Sequence, residues 1–276
     1  IFEKIGLHML GMINYGIPII GTMDDLNKIT LEDLKYWYRK YYRPSNATLI
    51  ISGNFDREKV KSDIDLYFGS IKDIQVEIDS LPNETFEPSF DEINMKQKLP
   101  NPILILSFIK PKFIDLPSKD AYALELLLEI MDGGFSSRFT SNITDKKLAI
   151  NTFISHDFYS REISTISIGG IPRRDVSLEE LKNLIMDEFV NLYNEGLLNN
   201  ELENIKTRII ANSIYKFDSI FSQTMSVGQL ESKNLSWSLL DDYIVNINSI
   251  TEQEIKNAAK KYIIDNRAHV TLVEPK

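Results

Sequence analysis

Apolar and polar positions alternate with two periods along the chain, and each period predicts an element. Ile1 to Tyr15 carries apolar side chains at 1, 2, 5, 9, 10, 12 and 13, the spacing of an amphipathic helix, and Gly16-Ile17-Pro18 ends it. A short helical turn over Met23 to Leu26 is expected next, then a helix from Thr30 to about Tyr42, stopped by Pro44. Ala47 to Ser52 reads as a buried strand, and Asp56 is placed to cap a helix from Arg57 to about Ile71. Lys72 to Phe90 has Pro82, Pro88, several acids and no sustained period, which marks a linker.

Beyond the linker the pattern changes to strands. Ile93 to Leu99 alternates apolar and polar, and Ile103 to Ile109 is strongly apolar, with Pro100-Asn101-Pro102 between them. Ser118 to Met131 predicts a helix whose face is Ala121, Leu124, Leu127, Leu128 and Met131, ended by Gly133-Gly134. Ser136 to about Lys146 predicts another helix. Ile150 to Phe158 and Ile163 to Gly169 predict two paired strands. Ser177 opens a helix to Tyr193, stopped by Gly196, and Asn200–Ile220, Phe221–Lys233 and Ser236–Asn246 predict three more. A last helix from Thr251 leads to the strand Ala268 to Val273. Strands followed by several helices and a returning strand suit an α+β layer better than a doubly wound sheet.

One stretch occurs twice. Ile29-Thr30-Leu31-Glu32-Asp33-Leu34, with Tyr41, Asn46, Ala47 and the run Leu49-Ile50-Ile51, matches Ile250-Thr251-Glu252-Gln253-Glu254-Ile255, with Tyr262, Asn266, Ala268 and Val270-Thr271-Leu272-Val273. In each copy a Thr opens a helix and an acid three residues on completes a capping box. The repeat predicts two homologous units: residues 1–71 as part of a first domain, 72–92 as linker, and 93–276 as a second domain. Thr251 lies 158 residues beyond Ile93, whereas Thr30 lies 29 beyond Ile1. Similar units would therefore place about 129 further residues ahead of Ile1, so the first unit is expected to be truncated.

Composition narrows the chemistry. At 276 residues and 43% apolar, the chain can bury two ordinary cores. A net charge of −9 argues against nucleic acid as a partner, because phosphate binding needs clustered Lys and Arg. With no Cys there is no disulfide, thiolate metal site or Cys nucleophile. No apolar run has the roughly 18 residues of a membrane span. His8, His156 and His269 match no metal-ligand spacing, and neither H-E-x-x-H nor H-x-x-E-H occurs. His156-Asp157 is read either as half of a catalytic pair or as a surface pair at a strand end. G-x-S-x-G and phosphate-loop motifs are absent.

The most unusual local signal is Gly133-Gly134-Phe135-Ser136-Ser137-Arg138. Glycines allow a sharp turn, and the N-terminus of the following helix offers free N–H groups to a carbonyl or carboxylate. Arg138 could add a charge-assisted bond. Gly133, Gly134, Ser136, Ser137 and Arg138 are therefore candidate substrate-binding residues. The other reading is a helix break followed by a cap.

Tyr15-Gly16-Ile17-Pro18-Ile19-Ile20-Gly21-Thr22, the first copy of the repeat, and Tyr41-Tyr42-Arg43-Pro44-Ser45-Asn46-Ala47-Thr48-Leu49 together resemble the M16 (pitrilysin or insulinase-like) zinc metallopeptidases, which include bacterial and mitochondrial processing peptidases. Gly133 to Arg138 resembles the Gly-rich helix junction of that family's second domain, so the likeness runs over essentially the whole chain. The resemblance implies two homologous layered α+β domains joined by a linker around a chamber, with peptide substrates bound as an added strand on a sheet edge. It implies zinc in the parent protein, held by an H-x-x-E-H motif of the first domain whose Glu acts as base on zinc-bound water. That motif is not in this chain, so no catalytic residue, no metal ligand, no zinc and no peptidase activity are expected of the chain alone. The family's second domain often carries an Arg and a Tyr that hold the substrate backbone. The corresponding positions are Thr144 and Asn151, or Ile150 with one residue deleted, and neither residue type is present. Two readings remain open. The parent is the zinc-bearing subunit of a heterodimer whose homologous partner supplies the Arg/Tyr pair, or it is a non-catalytic paralogue acting as a structural or substrate-presenting partner. Periplasm and cytoplasm of a bacterium both remain open as the compartment.

Overall fold

The computed structural model describes residues 1–11, 16–73, 87–116 and 119–276. Its centre is a five-stranded mixed sheet ordered β1-β5-β2-β4-β3, built from β1 (Glu92–Gln97), β2 (Ile103–Lys110), β3 (Ala149–Ser155), β4 (Ser164–Pro172) and β5 (Ala268–Pro275). The last strand is not at an edge. It inserts between β1, to which it runs parallel, and β2, to which it runs antiparallel.

Side chains alternate across the sheet, so each strand serves two faces. Leu104, Leu106 and Phe108 of β2 join Ile166 and Ile168 of β4 in the main core. That core is covered by α5 (Asp120–Asp132), α6 (Leu178–Glu195) and α10 (Glu252–Ala259). Helices α7 (Glu201–Lys216) and α9 (Leu239–Ser249) pack outside α5, and α8 (Ile220–Ser232) follows α7. The expected α5 face is buried, including Ala121, Leu124, Leu127, Leu128 and Met131. The opposite face carries a smaller cluster, in which α1 (Phe2–Leu10) sets Ile5, Met9 and Leu10 against Ile105.

Both copies of the repeat form the predicted start. Thr30 accepts from the Asp33 N–H while the Asp33 carboxylate accepts from the Thr30 N–H at 2.9 Å. Thr251 and Glu254 do the same, at 2.8 Å. The ends also correspond: Asn46 Nδ2 donates to the Tyr41 carbonyl at 2.9 Å, and Asn266 Nδ2 to the Tyr262 carbonyl at 3.1 Å. The fold is α+β, as the order of elements predicted.

Three expectations are corrected. Ala47–Ser52 is not a buried strand: it has no ladder partner among the described residues, and Leu49 and Ile51 are exposed. An apolar run becomes a strand only when a neighbour takes its backbone N–H and C=O groups. In the same region α2 (Met23–Lys28), α3 (Leu31–Tyr41) and α4 (Arg57–Phe68) bury no residue. The helix expected over Ser136–Lys146 is a turn followed by a short helical segment that widens into a π-turn at Thr140–Thr144. The strand expected to reach Phe158 ends at Ser155, and its partner runs on to Pro172. Of the proposed linker, residues 74–86 lie outside the described residues, and β1 already begins at Glu92.

Candidate functional site

Strand β3 is an edge of the sheet. Its inner side pairs with β4, and its outer row of backbone groups faces away from the ladder. The pairing skips Ile150: Ala149 opposes Pro172 and Asn151 opposes Ile171. This irregularity pushes Ile150 outward, 47% exposed, as a bulge re-aims a side chain on an edge strand.

The glycine junction lies beside this edge. Thr152 of β3 donates its hydroxyl to Asp132, the last residue of α5, at 2.9 Å. Burial raises the Asp132 pKa from its ordinary value, which the Thr152 hydroxyl partly offsets. Gly133 follows. A Cβ there would collide with the Arg208–Glu129 ion pair, whose own N···O distance is 2.7 Å. Gly134 turns at φ 131°, in a region that favours glycine. Its carbonyl accepts from the Ser137 N–H and the Thr140 hydroxyl, both at 3.0 Å. The turn thrusts Phe135 into solvent, 99% exposed.

The candidates therefore separate. Ser136 is exposed beside Phe135 at the tip. Ser137 is buried, its hydroxyl spent on Thr140 at 2.9 Å. Arg138 turns inward. Its Nε and Nη2 form a fork to Glu201 at 3.0 and 2.7 Å, and Nη2 also donates to the Gly196 carbonyl at 2.9 Å. Its charge is committed to holding α7 and the end of α6 against the junction. Thr144 is half-buried and donates to the Thr140 carbonyl at 3.0 Å, while Ile150 and Asn151 are exposed on the edge.

A second polar group sits where β3 leaves the sheet. The adjacent His156 and Asp157 do not act as a pair. His156 Nε2 faces Glu125 at 3.0 Å without hydrogen-bond alignment, and Asp157 accepts from Lys233 at 2.8 and 3.0 Å. The buried Lys110 amine donates to the Asp157 carbonyl at 2.6 Å, the Phe158 carbonyl at 3.1 Å and Ser160 Oγ at 2.9 Å. Burial pulls its pKa down to about 8, against the opposing pull of Asp157 and Glu125. Lys110 and Glu125 were missed in the sequence, although both leave a trace there. Lys110 ends an apolar run, and Glu125 interrupts the apolar face of α5.

The residues do not fit a zinc site. His8 lies against His269, with ring centroids 5.0 Å apart, and His156, just past the end of β3, lies 3.0 Å from Glu125. Among the described residues no three His, Cys, Asp or Glu side chains converge as metal ligands. No helix among them is long and apolar enough to cross a membrane.

Comparison with known proteins places this arrangement. The chain is 24% identical over 268 residues to the uncharacterized zinc protease YmxG of Bacillus subtilis, covering 96% of this chain and 63% of that protein. It is 24% identical over 268 residues to the zinc protease PqqE of Helicobacter pylori, covering 93% of this chain and 57% of that protein. It thus spans about six-tenths of these relatives. Its fold superposes on the crystal structure of a protease from Helicobacter pylori with a TM-score of 0.86 at 21% identity, over 99% of this chain and 66% of that one. Residues 28–209 match the family model described as the peptidase M16 inactive domain, and by that match over more than half its length the chain belongs to the peptidase M16 family.

Proposed function

We propose that this chain is the C-terminal part of an M16-type zinc endopeptidase and serves it as the half that holds peptide rather than the half that cuts. In the parent protein a zinc-activated water would hydrolyse the peptide bond. Among the described residues no side-chain set fits the metal, and the roles assigned to this chain are those of holding peptide. What supports a peptide-holding role is the edge of β3, with its outward backbone row beside an exposed Phe135. An extended peptide can add to such a row through main-chain hydrogen bonds and rest a side chain on the aromatic ring. The family's Arg/Tyr positions hold Thr144 and Ile150 or Asn151, so main-chain pairing is the contact left to this chain. Gly133, Gly134 and Ser136 shape the tip, and Ser137 and Arg138 brace it from within.

The test uses the full-length protein with unstructured peptides. Cleavage should be lost on chelation and restored by zinc. Peptides N-methylated at alternate amides should bind at least about tenfold more weakly than their parents. Cleavage that survives chelation, or indifference to N-methylation, would overturn the reading. The heterodimer belongs to the same proposal: an active complex should contain a homologous chain carrying the Arg/Tyr pair, and an active monomer would rule it out. A second reading, a non-catalytic paralogue that presents substrate to an active subunit, is favoured by the family model's own description as an inactive domain. An upstream sequence without H-x-x-E-H would select it.

A further inference from the structure

A cavity of about 390 Å³ lies between α1 and the sheet, and its two walls differ in kind. One wall is helix, with Phe2, Ile5 and Gly6. The other is hydroxyl: Ser155 from β3, and Thr165 and Ser167 from β4. Register explains the second wall. Ser155 opposes Ser167, Ser167 opposes Ser107, and Ser107 opposes His269, so one polar row crosses four strands on the face turned to α1.

That row is unusual for a covered sheet face. Ser107 Oγ, both ring nitrogens of His269 and Thr271 Oγ1 are buried without a hydrogen-bond partner. Ser164, which also lines the cavity, is 7% exposed, and its Oγ likewise has none. An apolar row would pack against α1 at lower cost, because each unpaired buried polar group keeps its desolvation penalty. Gly6 points the same way. A glycine inside a helix is less favourable than alanine, and this one stands in the cavity wall.

Two titratable side chains, His156 and Asp157, stand in the lining. Asp157 is held by Lys233, and His156 faces Glu125. The cavity therefore offers hydroxyls and an apolar helix, and its one carboxylate is already paired with Lys233. We propose that it is a side-chain pocket for peptides, selecting a neutral hydrogen-bonding residue (Ser, Thr, Asn or Gln) over charged or purely apolar ones; this rests on the peptide-holding role above. A charged side chain would be desolvated here against a carboxylate, Asp157, that Lys233 already engages. An aliphatic one would leave Ser164 Oγ, the lining hydroxyl that has no partner, unpaired, the kind of mismatch a polar pocket rejects.

The proposal is tested by binding, separately from cleavage. Methyl-labelled full-length protein is titrated with acetyl-Ala-Gln-Ala-amide and with the same peptide bearing Glu, Lys or Leu in place of Gln. The Gln peptide should shift the Ile5 and Thr165 methyl resonances, and the other three should bind at least about fivefold more weakly. Thr165→Val and Ser167→Ala, each checked for wild-type methyl dispersion, should weaken the Gln peptide about fivefold and leave the Leu peptide unchanged. Equal affinity for the four peptides, unmoved Ile5 and Thr165 methyls, or indifference to both substitutions would overturn the pocket. Zinc-dependent cleavage that persists in that case would leave the proposed function standing.

Discussion

Arg138 and Glu201 are 63 residues apart in sequence and meet in a two-point fork at 2.7 and 3.0 Å, both largely buried. The same carboxylate accepts from the Leu198 N–H at 2.8 Å, so one ion pair closes the glycine junction, the end of α6 and the start of α7. Arg138→Ala strands a buried carboxylate, and removing one partner of a buried pair costs about 3–5 kcal/mol. Urea denaturation should show a loss of this order, with less lost in the double variant Arg138→Met, Glu201→Gln. Unchanged stability in Arg138→Ala would contradict the fork.

Phe135 is the opposite case. At 99% exposure it contributes nothing to packing, so Phe135→Ala should change stability by less than about 0.5 kcal/mol. If the edge holds peptide, the same variant should weaken binding of an unstructured peptide about threefold or more, read by fluorescence anisotropy. Loss of stability together with binding would assign the ring a packing role instead.

Gly133 bears on the shape of the tip. A methyl group there meets the Arg208–Glu129 pair and the Glu129 carbonyl. Gly133→Ala should therefore destabilise by about 1–3 kcal/mol, the usual cost of overpacking. Adding Arg208→Ala should recover part of it, because one of the colliding groups is then gone. Calorimetric melting of the two variants makes the comparison.

Lys110 makes stability depend on pH. Burial lowers its pKa in the folded chain to about 8, while the unfolded chain keeps the ordinary 10.5. Between these values the unfolded state binds more protons, so stability rises with pH across roughly pH 8 to 10. Below pH 8 both states are protonated and the penalty for burying the charge is fully present. Tyr159 and Tyr243, whose pKa values burial pushes upward, oppose this trend only above about pH 10. Melting curves of wild type and Lys110→Met should diverge in slope within that window. Parallel slopes would place the Lys110 pKa near its unfolded value.

What the sequence determined was local. Capping boxes at Thr30 and Thr251, the apolar face of α5 and the stops at Gly133 and Gly196 depend on neighbours within a turn of the chain, and all are present, whereas α1 stops at Leu10 on Gly11, ahead of the Gly16-Ile17-Pro18 stop expected for it. The mixed helix and strand order carried the α+β class, and the repeat with its Tyr-Tyr-Arg-Pro run carried the family. Tertiary structure decided what distant partners decide. Leu49-Ile50-Ile51 and Val270-Thr271-Leu272-Val273 are equally apolar runs after matching helices. Only the second has β1 and β2 on either side to take its backbone groups, and only the second is a strand. The candidate site divides on the same principle. Exposed Phe135 and buried Arg138 are three residues apart, and nothing local says that Glu201 waits to pull one inward. The hydroxyl row Ser155–Ser167–Ser107–His269 is assembled by strand register from four separate segments. No periodicity within one segment could reveal it, because hydrogen-bond pairing between strands sets which side chains share a line across the sheet.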